Sequence, residues 1–322
     1  MAADVVAELS GARLAFGDRV LWDHLDLSMR SGEFVAVLGP NGTGKTSLLK
    51  VLLGQLPLSA GTATIAGRRI EAGSEQIGYV PQHRSVERGL SMRGQDLVGL
   101  GYDGHRWGVA TLRLAERSAK RVAVQQALRQ VNGTHLAGVP VGVMSGGELQ
   151  RVRIAQALAS DPVLLLCDEP LLNLDPANAR LVSGLIDQRR RDAGTAVLFV
   201  THEVNPVLPF VDRVLYLVDG RFRVGTVQEV MTSATLSELY RSDIEVVKVH
   251  GREKVEVPAG KFDCVVVEPI LKSEGVFKSK GSILVYLSDD ARRIPVMVKS
   301  KIPVGSVSVS LTDMRLAFSG RH

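Results

Sequence analysis

Eight residues between an apolar run and a helix-like segment have the types and the spacing of a phosphate-binding loop. Residues 39–46 fit the pattern G-x-x-x-x-G-K-[ST]. Glycines let successive backbone N–H groups point into one concavity, the ammonium of Lys45 reaches the β- and γ-phosphates, and the hydroxyl of Thr46 is a ligand for Mg²⁺. The pattern predicts a nucleotide site that consists of this loop and the residue after it: Gly39, Pro40, Asn41, Gly42, Thr43, Gly44, Lys45, Thr46 and Ser47.

An acidic pair and a histidine follow two further apolar runs. Asp168 and Glu169 come directly after the run 163–167, and His202 follows the run 196–200. A short carboxylate at a strand end can hold Mg²⁺ through water, and the adjacent carboxylate can accept a proton from attacking water. Alone, the acidic pair also fits a solvated strand end, and the histidine fits a structural role. Together with the phosphate loop, they predict a site for nucleotide hydrolysis.

The elements around these motifs alternate between strand and helix patterns. Period-two alternation with turn residues indicates strands, and spacings of three and four indicate helices. Such alternation is typical of a parallel sheet. A stretch rich in Arg, Gln and Ala over 83–143 predicts a helical insertion, and Asp219 with Gly220 predicts a type I′ hairpin turn. The predicted α/β core begins with two short strands over 5–28, joined around Gly17 and Asp18. Its further predicted strands are 34–38, 61–67, 77–82, 163–167, 196–200 and 211–218. Its predicted helices are 47–53, 147–160, 176–193 and one or two helices over 226–240.

The pattern changes near residue 245. Short alternating runs, separated by turn residues, replace the helical periodicity and predict a small antiparallel β segment. We therefore expect two domains, residues 1–250 and residues 251–322. Residues 245–322 carry 13 Lys and Arg against 9 Asp and Glu, so most of the chain's net charge of +5 lies in this segment.

Composition limits the classes of partner. The basic residues are interspersed with acidic ones, so nucleic acid is not an expected partner. No uninterrupted apolar run approaches 18 residues, so no direct membrane insertion is expected. Cys167 and Cys264 are too few and too far apart for a disulfide framework or a four-ligand zinc site, and a reducing, cytosolic compartment is expected.

Further motifs make residues 3–250 resemble the ATP-binding-cassette (ABC) ATPases. Residues 144–148, Met-Ser-Gly-Gly-Glu, are similar to the signature that opens a helix in this family, and 163–169 are similar to its acidic strand end. The resemblance implies a P-loop NTPase core of ABC type, with a β subdomain and a helical subdomain at about 83–150. It assigns Gln82 to the Q-loop, Asp175 to the D-loop, His202 to the switch histidine and Phe16 to the aromatic that stacks on adenine. An isolated aromatic such as Phe16 is also typical of simple packing.

The resemblance also implies cofactors and a second copy of the chain. The signature of one chain completes the phosphate site of another, so a homodimer with ATP and Mg²⁺ is expected. The implied catalytic residues are Glu169, His202, Gln82 and Lys45. The implied ligands of Mg²⁺ are Thr46, Gln82 and Asp168. Beyond the phosphate loop, the implied ATP contacts are Phe16, Ser145, Gly146, Gly147, Glu148 and Asp175.

Three phrases narrow the resemblance to the ATPase subunits of bacterial zinc and manganese importers. They are residues 93–101, 168–175 and 201–206, and the glutamate that ends the signature agrees with them. This resemblance implies an integral membrane permease, a separate solute-binding protein, and a place on the cytoplasmic face of the cell membrane. The alternative is an ABC ATPase that acts outside transport, as a nucleotide-dependent clamp on a soluble partner.

The last seventy or so residues have a resemblance of their own. Residues 255–264, 287–296 and 300–306 are similar to the C-terminal half of an uncharacterised bacterial β-rich family. Three explanations stay open for this segment: a regulatory β domain, a piece recruited without function, or an unnatural joining of two genes.

Overall fold

A computed structural model describes residues 4–82, 91–104, 114–242, 244, 246–269, 282–290, 292–302 and 305–312 of the chain. The chain divides into two compact units, Met1–Val230 and Met231–His322. This division falls before the boundary at residue 250 that the change of pattern predicted. The helix Ser233–Tyr240 accounts for the difference, because its Ser237 hydroxyl accepts from the N–H of Ile244 at 2.9 Å and donates to the carbonyl of Ile244 at 3.2 Å. The boundary at residue 250 stays a prediction.

The first unit begins with a hairpin and then alternates between strands and helices. Its strands are β1 (Val5–Phe16), β2 (Arg19–Arg30), β3 (Phe34–Leu38), β4 (Ala60–Ile65), β5 (Arg68–Arg69), β6 (Ile77–Val80), β7 (Leu164–Asp168), β8 (Ala196–Val200), β9 (Arg213–Val218) and β10 (Arg221–Gly225). Its helices are α1 (Lys45–Leu52), α2 (Gly94–Asp103), α3 (Leu114–Gln130), α4 (Gly146–Leu158), α5 (Pro176–Ala193) and α6 (Val227–Val230). Among the helices of the described ranges, none is both long enough and apolar enough to cross a membrane.

The central sheet of the first unit is mainly parallel, as predicted. Its strand order is β10-β9-β3-β8-β7-β6, and only the β9–β10 pair is antiparallel. One face packs against α1 and the smaller sheet, and the other packs against α4 and α5. Because both faces are covered, β3, β7 and β8 are buried along their whole length and consist of nearly continuous apolar runs.

The smaller sheet is antiparallel, with the strand order β2-β1-β4-β5. Its β1–β2 turn contains Gly17 and Asp18, where the sequence predicted a turn between two strands. The β9–β10 turn also agrees with its prediction, because Asp219 and Gly220 have φ angles of 41° and 79°, both left-handed. Two left-handed residues in succession are the requirement of a type I′ turn.

The predicted helical insertion is present as α2 and α3, which precede α4. The backbones of α2 and α4 lie so close together that a Cβ atom added to Gly101 would meet the carbonyl oxygen of Gln156. The parts of the predicted insertion at 83–90 and 105–113 lie outside the described residues.

The second unit contains helix α7 (Ser233–Tyr240) and an antiparallel sheet. The sheet strands are β11 (Val247–Val257), β12 (Gly260–Pro269), β13 (Ser282–Ser288), β14 (Pro295–Ile302) and β15 (Gly305–Ser310), which pair in sequence order. The predicted antiparallel segment is therefore confirmed. A small core stabilises this sheet, and its buried members are Val255, Val257, Cys264, Val266, Tyr286 and Val296.

Candidate nucleotide-binding site

The phosphate loop joins the buried strand β3 to helix α1, and its backbone requires glycine at two positions. Gly39 has a φ angle of 137°, and a Cβ atom there would overlap the carbonyl oxygen of Leu217. Gly44 has a φ angle of 99°, and a Cβ atom there would lie 3.0 Å from the indole Nε1 of Trp22. Side chains at these positions would be strained and would displace their neighbours, so the loop conformation depends on both glycines.

Lys45 is the first residue of α1, and its ammonium is held by the loop itself. Its Nζ donates to the carbonyl oxygens of Gly39 at 2.7 Å and Pro40 at 2.8 Å. The hydroxyl of Thr43 donates to the same Pro40 oxygen at 3.0 Å. Burial lowers the pKa of Lys45, while the carboxylates of Glu169 and Asp168 act in the opposite direction. The loop therefore presents a cation, held in place by carbonyl oxygens, at the start of a helix, where backbone N–H groups also favour an anion.

Asp168 is the last residue of β7 and is only 3% exposed. It accepts hydrogen bonds from the hydroxyl of Thr46 at 3.3 Å and from the hydroxyl of Tyr79 at 3.5 Å. Burial raises the pKa of Asp168, and the two hydroxyl donors partly offset that rise. Sequence reasoning missed Tyr79. Its only signal was its place on the strand that ends shortly before Gln82.

Glu169 follows Asp168 in an unusual backbone conformation, with a φ angle of 47°. Its N–H donates to the carbonyl of Val200 at 3.0 Å, which fixes it beside the end of β8. Its carboxylate accepts a hydrogen bond from Nε2 of Gln82 at 3.2 Å, and Nδ1 of His202 lies 3.5 Å from its other oxygen. Left-handed backbone at a residue that is not glycine is enriched at functional sites. The structure thus brings together Gln82, Glu169 and His202, which lie far apart in the sequence.

A cavity of about 600 Å³ lies over the phosphate loop. Two of its lining residues, Arg19 and Leu21, were not predicted from the sequence, since no motif marks them. They belong to the start of β2, directly after the turn that follows Phe16, and Phe16 is 52% exposed at this cavity. The predicted residues that line it are Phe16, Asn41, Gly42, Gly44, Lys45, Thr46, Ser47, Gln82 and Glu169.

The signature residues 145–148 and Asp175 do not line this cavity. Ser145 is the N-cap of α4, where it accepts from the N–H of Glu148, while the Glu148 carboxylate accepts from the N–H of Ser145 at 2.8 Å and its hydroxyl at 2.7 Å. These bonds lower the pKa of Glu148. Asp175 caps α5 through the N–H groups of Ala177 and Asn178, and hydrogen bonds from Asn178 lower its pKa. Ser145, Gly146, Gly147, Glu148 and Asp175 therefore lie at the N-termini of two helices, outside the lining of the cavity.

The groups around the cavity suit a nucleoside triphosphate. A phosphate loop between a parallel strand and a helix, with an acidic pair on another strand of the same sheet, defines a P-loop NTPase. Two family matches cover most of the chain. Residues 22–172 match the ABC transporter family, and residues 215–312 match a family described as a protein of unknown function (DUF3108).

Curated relatives match between 65% and 74% of the chain. The zinc import ATP-binding protein ZnuC of Paramagnetospirillum magneticum is 36% identical over 209 residues, which are 65% of this chain and 72% of that protein. The manganese transport ATP-binding protein MntB of Listeria monocytogenes is 30% identical over 72% of this chain and 95% of its own length. The hemin import ATP-binding protein HmuV of Pseudomonas putida is 35% identical over 74% of this chain and 94% of its own length.

Solved structures agree with these relatives. An inward-facing ABC transporter of metal-chelate type matches with a TM-score of 0.65 and 27% identity, over 84% of this chain and 99% of that one. A nucleotide-free ATP-binding cassette, 19% identical with a TM-score of 0.62, shares the fold. The chain belongs to the ATP-binding proteins of the ABC transporter family, and it is an ATPase. The resemblance of its C-terminal segment to a family of unknown function is confirmed as well.

Proposed function

We propose that this chain is the ATP-hydrolysing subunit of an ABC importer whose cargo is a divalent metal ion, zinc or manganese. The observation that carries the proposal is the convergence of Lys45, the Thr46–Asp168 pair and the Gln82–Glu169–His202 group at one edge of the sheet. The zinc and manganese transport proteins among the relatives support the cargo. The hemin relative, which is 35% identical, makes a metal chelate the second candidate.

The cavity residues divide the binding of ATP between them. The exposed ring of Phe16 offers a stacking surface for adenine, and Lys45 with the loop N–H groups holds the β- and γ-phosphates. The Thr46 hydroxyl and the carboxylate of Asp168, 3.3 Å apart, are the hard oxygen donors that suit Mg²⁺, and the Gln82 amide would complete this set. When bound, Mg²⁺ neutralises charge on the phosphate oxygens.

Glu169 is the residue we assign as general base. Gln82 donates to one oxygen of its carboxylate and His202 lies beside the other, so both orient the group that would accept a proton from the attacking water. The backbone of Glu169, fixed by the carbonyl of Val200, holds this carboxylate at the edge of the cavity. His202 is 52% exposed, so it is accessible to the γ-phosphate of a bound nucleotide.

The position of the signature supports a second chain as partner. Ser145, Gly146 and Gly147 stand at the N-terminus of α4, where helix N–H groups favour an anion, yet they do not line the cavity of their own chain. We propose that they complete the phosphate site of a second copy in a homodimer. The dimer would work on the cytoplasmic face of the membrane with an integral permease and a separate solute-binding protein.

The test of the ATPase assignment is Glu169→Gln in the full chain. We expect the variant to bind ATP as the unaltered chain does, and its hydrolysis to fall by about 10²–10⁴-fold, the usual contribution of a general base. A variant with normal turnover would refute the assignment of Glu169. Glu203→Gln, which changes a nearby carboxylate outside the cavity, is the matched control and should leave the rate unchanged.

The cargo is tested separately in cells. Deleting the gene should lower the accumulation of zinc or manganese, and the unaltered gene, but not the Glu169→Gln version, should restore it. If the deletion lowered only hemin uptake, the cargo would be a metal chelate. Purification from detergent extracts tests the clamp alternative, because an importer subunit should copurify with an integral membrane protein and a clamp should copurify with a soluble one.

A further inference from the structure

Arg19 is a cavity residue to which no motif assigns a role. It begins β2, three residues after Phe16, and its side chain lines the cavity over the phosphate loop. Its guanidinium Nη2 donates to the carbonyl oxygen of Gly42 at 2.8 Å. Arg19 thus connects the edge of the smaller sheet, which carries Phe16, to the middle of the loop.

The bond to Gly42 leaves most of the hydrogen-bonding capacity of Arg19 unused. A guanidinium has five N–H donors in a fixed planar fork and is always charged, and this fork matches phosphate oxygens. Over the ranges that the structure describes, the guanidinium of Arg19 makes one hydrogen bond, and no carboxylate lies within 4.0 Å of it. A cation on the wall of an anion-binding cavity, with free donors and without a paired carboxylate, is suited to bind an anionic ligand.

We propose that Arg19 is a nucleotide-positioning residue, which binds the diphosphate group shared by ATP and ADP while its bond to Gly42 fixes the loop. This inference rests on the proposed nucleotide site. Phe16 and Lys45 mark the two ends of the site, for adenine and for the terminal phosphates. Arg19 follows Phe16 by three residues, and it is bonded to Gly42, which precedes Lys45 by three residues. Because Arg19 serves the part of the ligand that ATP and ADP share, it sets affinity for both nucleotides alike.

Fluorescence titration of the full chain with mant-ATP and mant-ADP tests this role. We expect Arg19→Ala to weaken binding of both nucleotides by about 5- to 20-fold, the contribution of a charge-assisted hydrogen bond at an accessible site. KM for ATP should rise by a similar factor while kcat stays within about twofold. The loss should shrink as salt is raised, because accessible charges are screened.

Two further variants separate contact with the nucleotide from support of the loop. Arg19→Gln keeps an amide donor for the Gly42 carbonyl but removes the charge, so we expect it to bind as weakly as Arg19→Ala. Arg19→Lys keeps the charge without the fork, so we expect partial recovery. Recovery in Arg19→Gln would overturn the proposal, since the loop bond alone would then explain the effect. Unaltered binding by Arg19→Ala would overturn it as well.

The matched control is Arg13→Ala. Arg13 lies on β1 of the same sheet, pairs with Asp23 at 3.4 Å and does not line the cavity, so nucleotide affinity should stay unchanged. The proposed function fails differently: an unaltered chain that binds neither nucleotide would refute the site as a whole. Binding by the unaltered chain that Arg19 variants do not weaken would refute Arg19 alone.

Discussion

Charged side chains at the nucleotide site of the first unit and in the sheet of the second unit have opposite surroundings. Asp168 and Lys45 in the first unit are 3% and 6% exposed. Burial raises the pKa of Asp168 and lowers the pKa of Lys45, so it favours the neutral form of both groups. Arg252 and Arg293 in the second unit are 76% and 53% exposed, and both pair with Asp289 on the surface. The first arrangement costs stability and holds charges ready for a ligand, whereas the second neutralises its charges locally. Buried groups with shifted pKa values mark the nucleotide site, whereas the charges of the C-terminal sheet lie in exposed ion pairs.

Gly39→Ala should have the largest effect on stability, because it distorts the backbone of the loop that holds Lys45. Alanine would adopt a strained φ of 137° and its Cβ would overlap the Leu217 carbonyl, so we expect a loss of about 3 kcal/mol or more in the free energy of unfolding. Chemical denaturation measures this loss, and ATP binding should fall with it.

The control for that substitution is the same change at Gly184 in α5. A Cβ atom there meets nothing within 4 Å, and alanine is favoured over glycine inside a helix by about 0.5–1 kcal/mol. Gly184→Ala should therefore stabilise the chain. Equal stability of the two alanine variants would contradict the need for glycine in the loop.

Asp168→Asn should separate function from stability. The folded pKa of Asp168 is raised above its ordinary value of 3.8, so the buried charge lowers stability at neutral pH. Asparagine should raise the free energy of unfolding near pH 7, while ATP hydrolysis falls by about 10²-fold or more. Thermal unfolding at several pH values measures the first effect.

The pH dependence of this gain has a definite sign. As pH falls through the raised folded pKa toward 3.8, the native carboxyl of Asp168 becomes protonated, and the stability advantage of the Asp168→Asn variant over the unaltered chain should disappear. A gain that persisted at low pH would mean that the desolvated charge is not its cause.

Asp290→Asn should change the stability in the opposite direction from Asp168→Asn, and by a smaller amount. The guanidinium of Arg292 lowers the pKa of Asp290 to about 2, so this carboxylate favours the folded state at pH values above 3.8. That contribution is lost as pH falls through about 2. We expect a small decrease in the midpoint of thermal unfolding at pH 7 and no change in ATP hydrolysis. Stabilisation by this change would contradict the contrast between the two units.

The local sequence pattern predicted much of the fold, but it did not predict contacts between residues that are far apart in the sequence. Helix α5 and strand β8 have the predicted bounds, because Asp175 with Pro176 begins the helix and an apolar run of five residues forms a strand buried on both faces. The site residues within motifs were predicted from the spacing of those motifs and from the family resemblance. Tyr79 and Arg19 were missed, because their contacts with Asp168 and Gly42 depend on sheet order and on the fold of a hairpin over the loop.

Removing residues 247–322 should give the smallest effect on catalysis. The described residues that line the cavity lie between 16 and 169, and their bonds to one another lie within the first unit. We expect the rate of ATP hydrolysis and the affinity for ATP to stay within about twofold of the full chain. The deletion begins at the first residue of β11, so it removes the sheet entirely and leaves no unpaired strand.

A larger change in either quantity would show that the second unit regulates the first. An unchanged rate, together with unchanged metal accumulation in cells, would exclude the regulatory explanation and leave recruitment without function or the joining of two genes. The exposed ion pairs of the sheet agree with that outcome, because Arg252, Arg292 and Arg293 already have carboxylate partners within the same unit. Charges neutralised in this way contribute little to binding a charged partner.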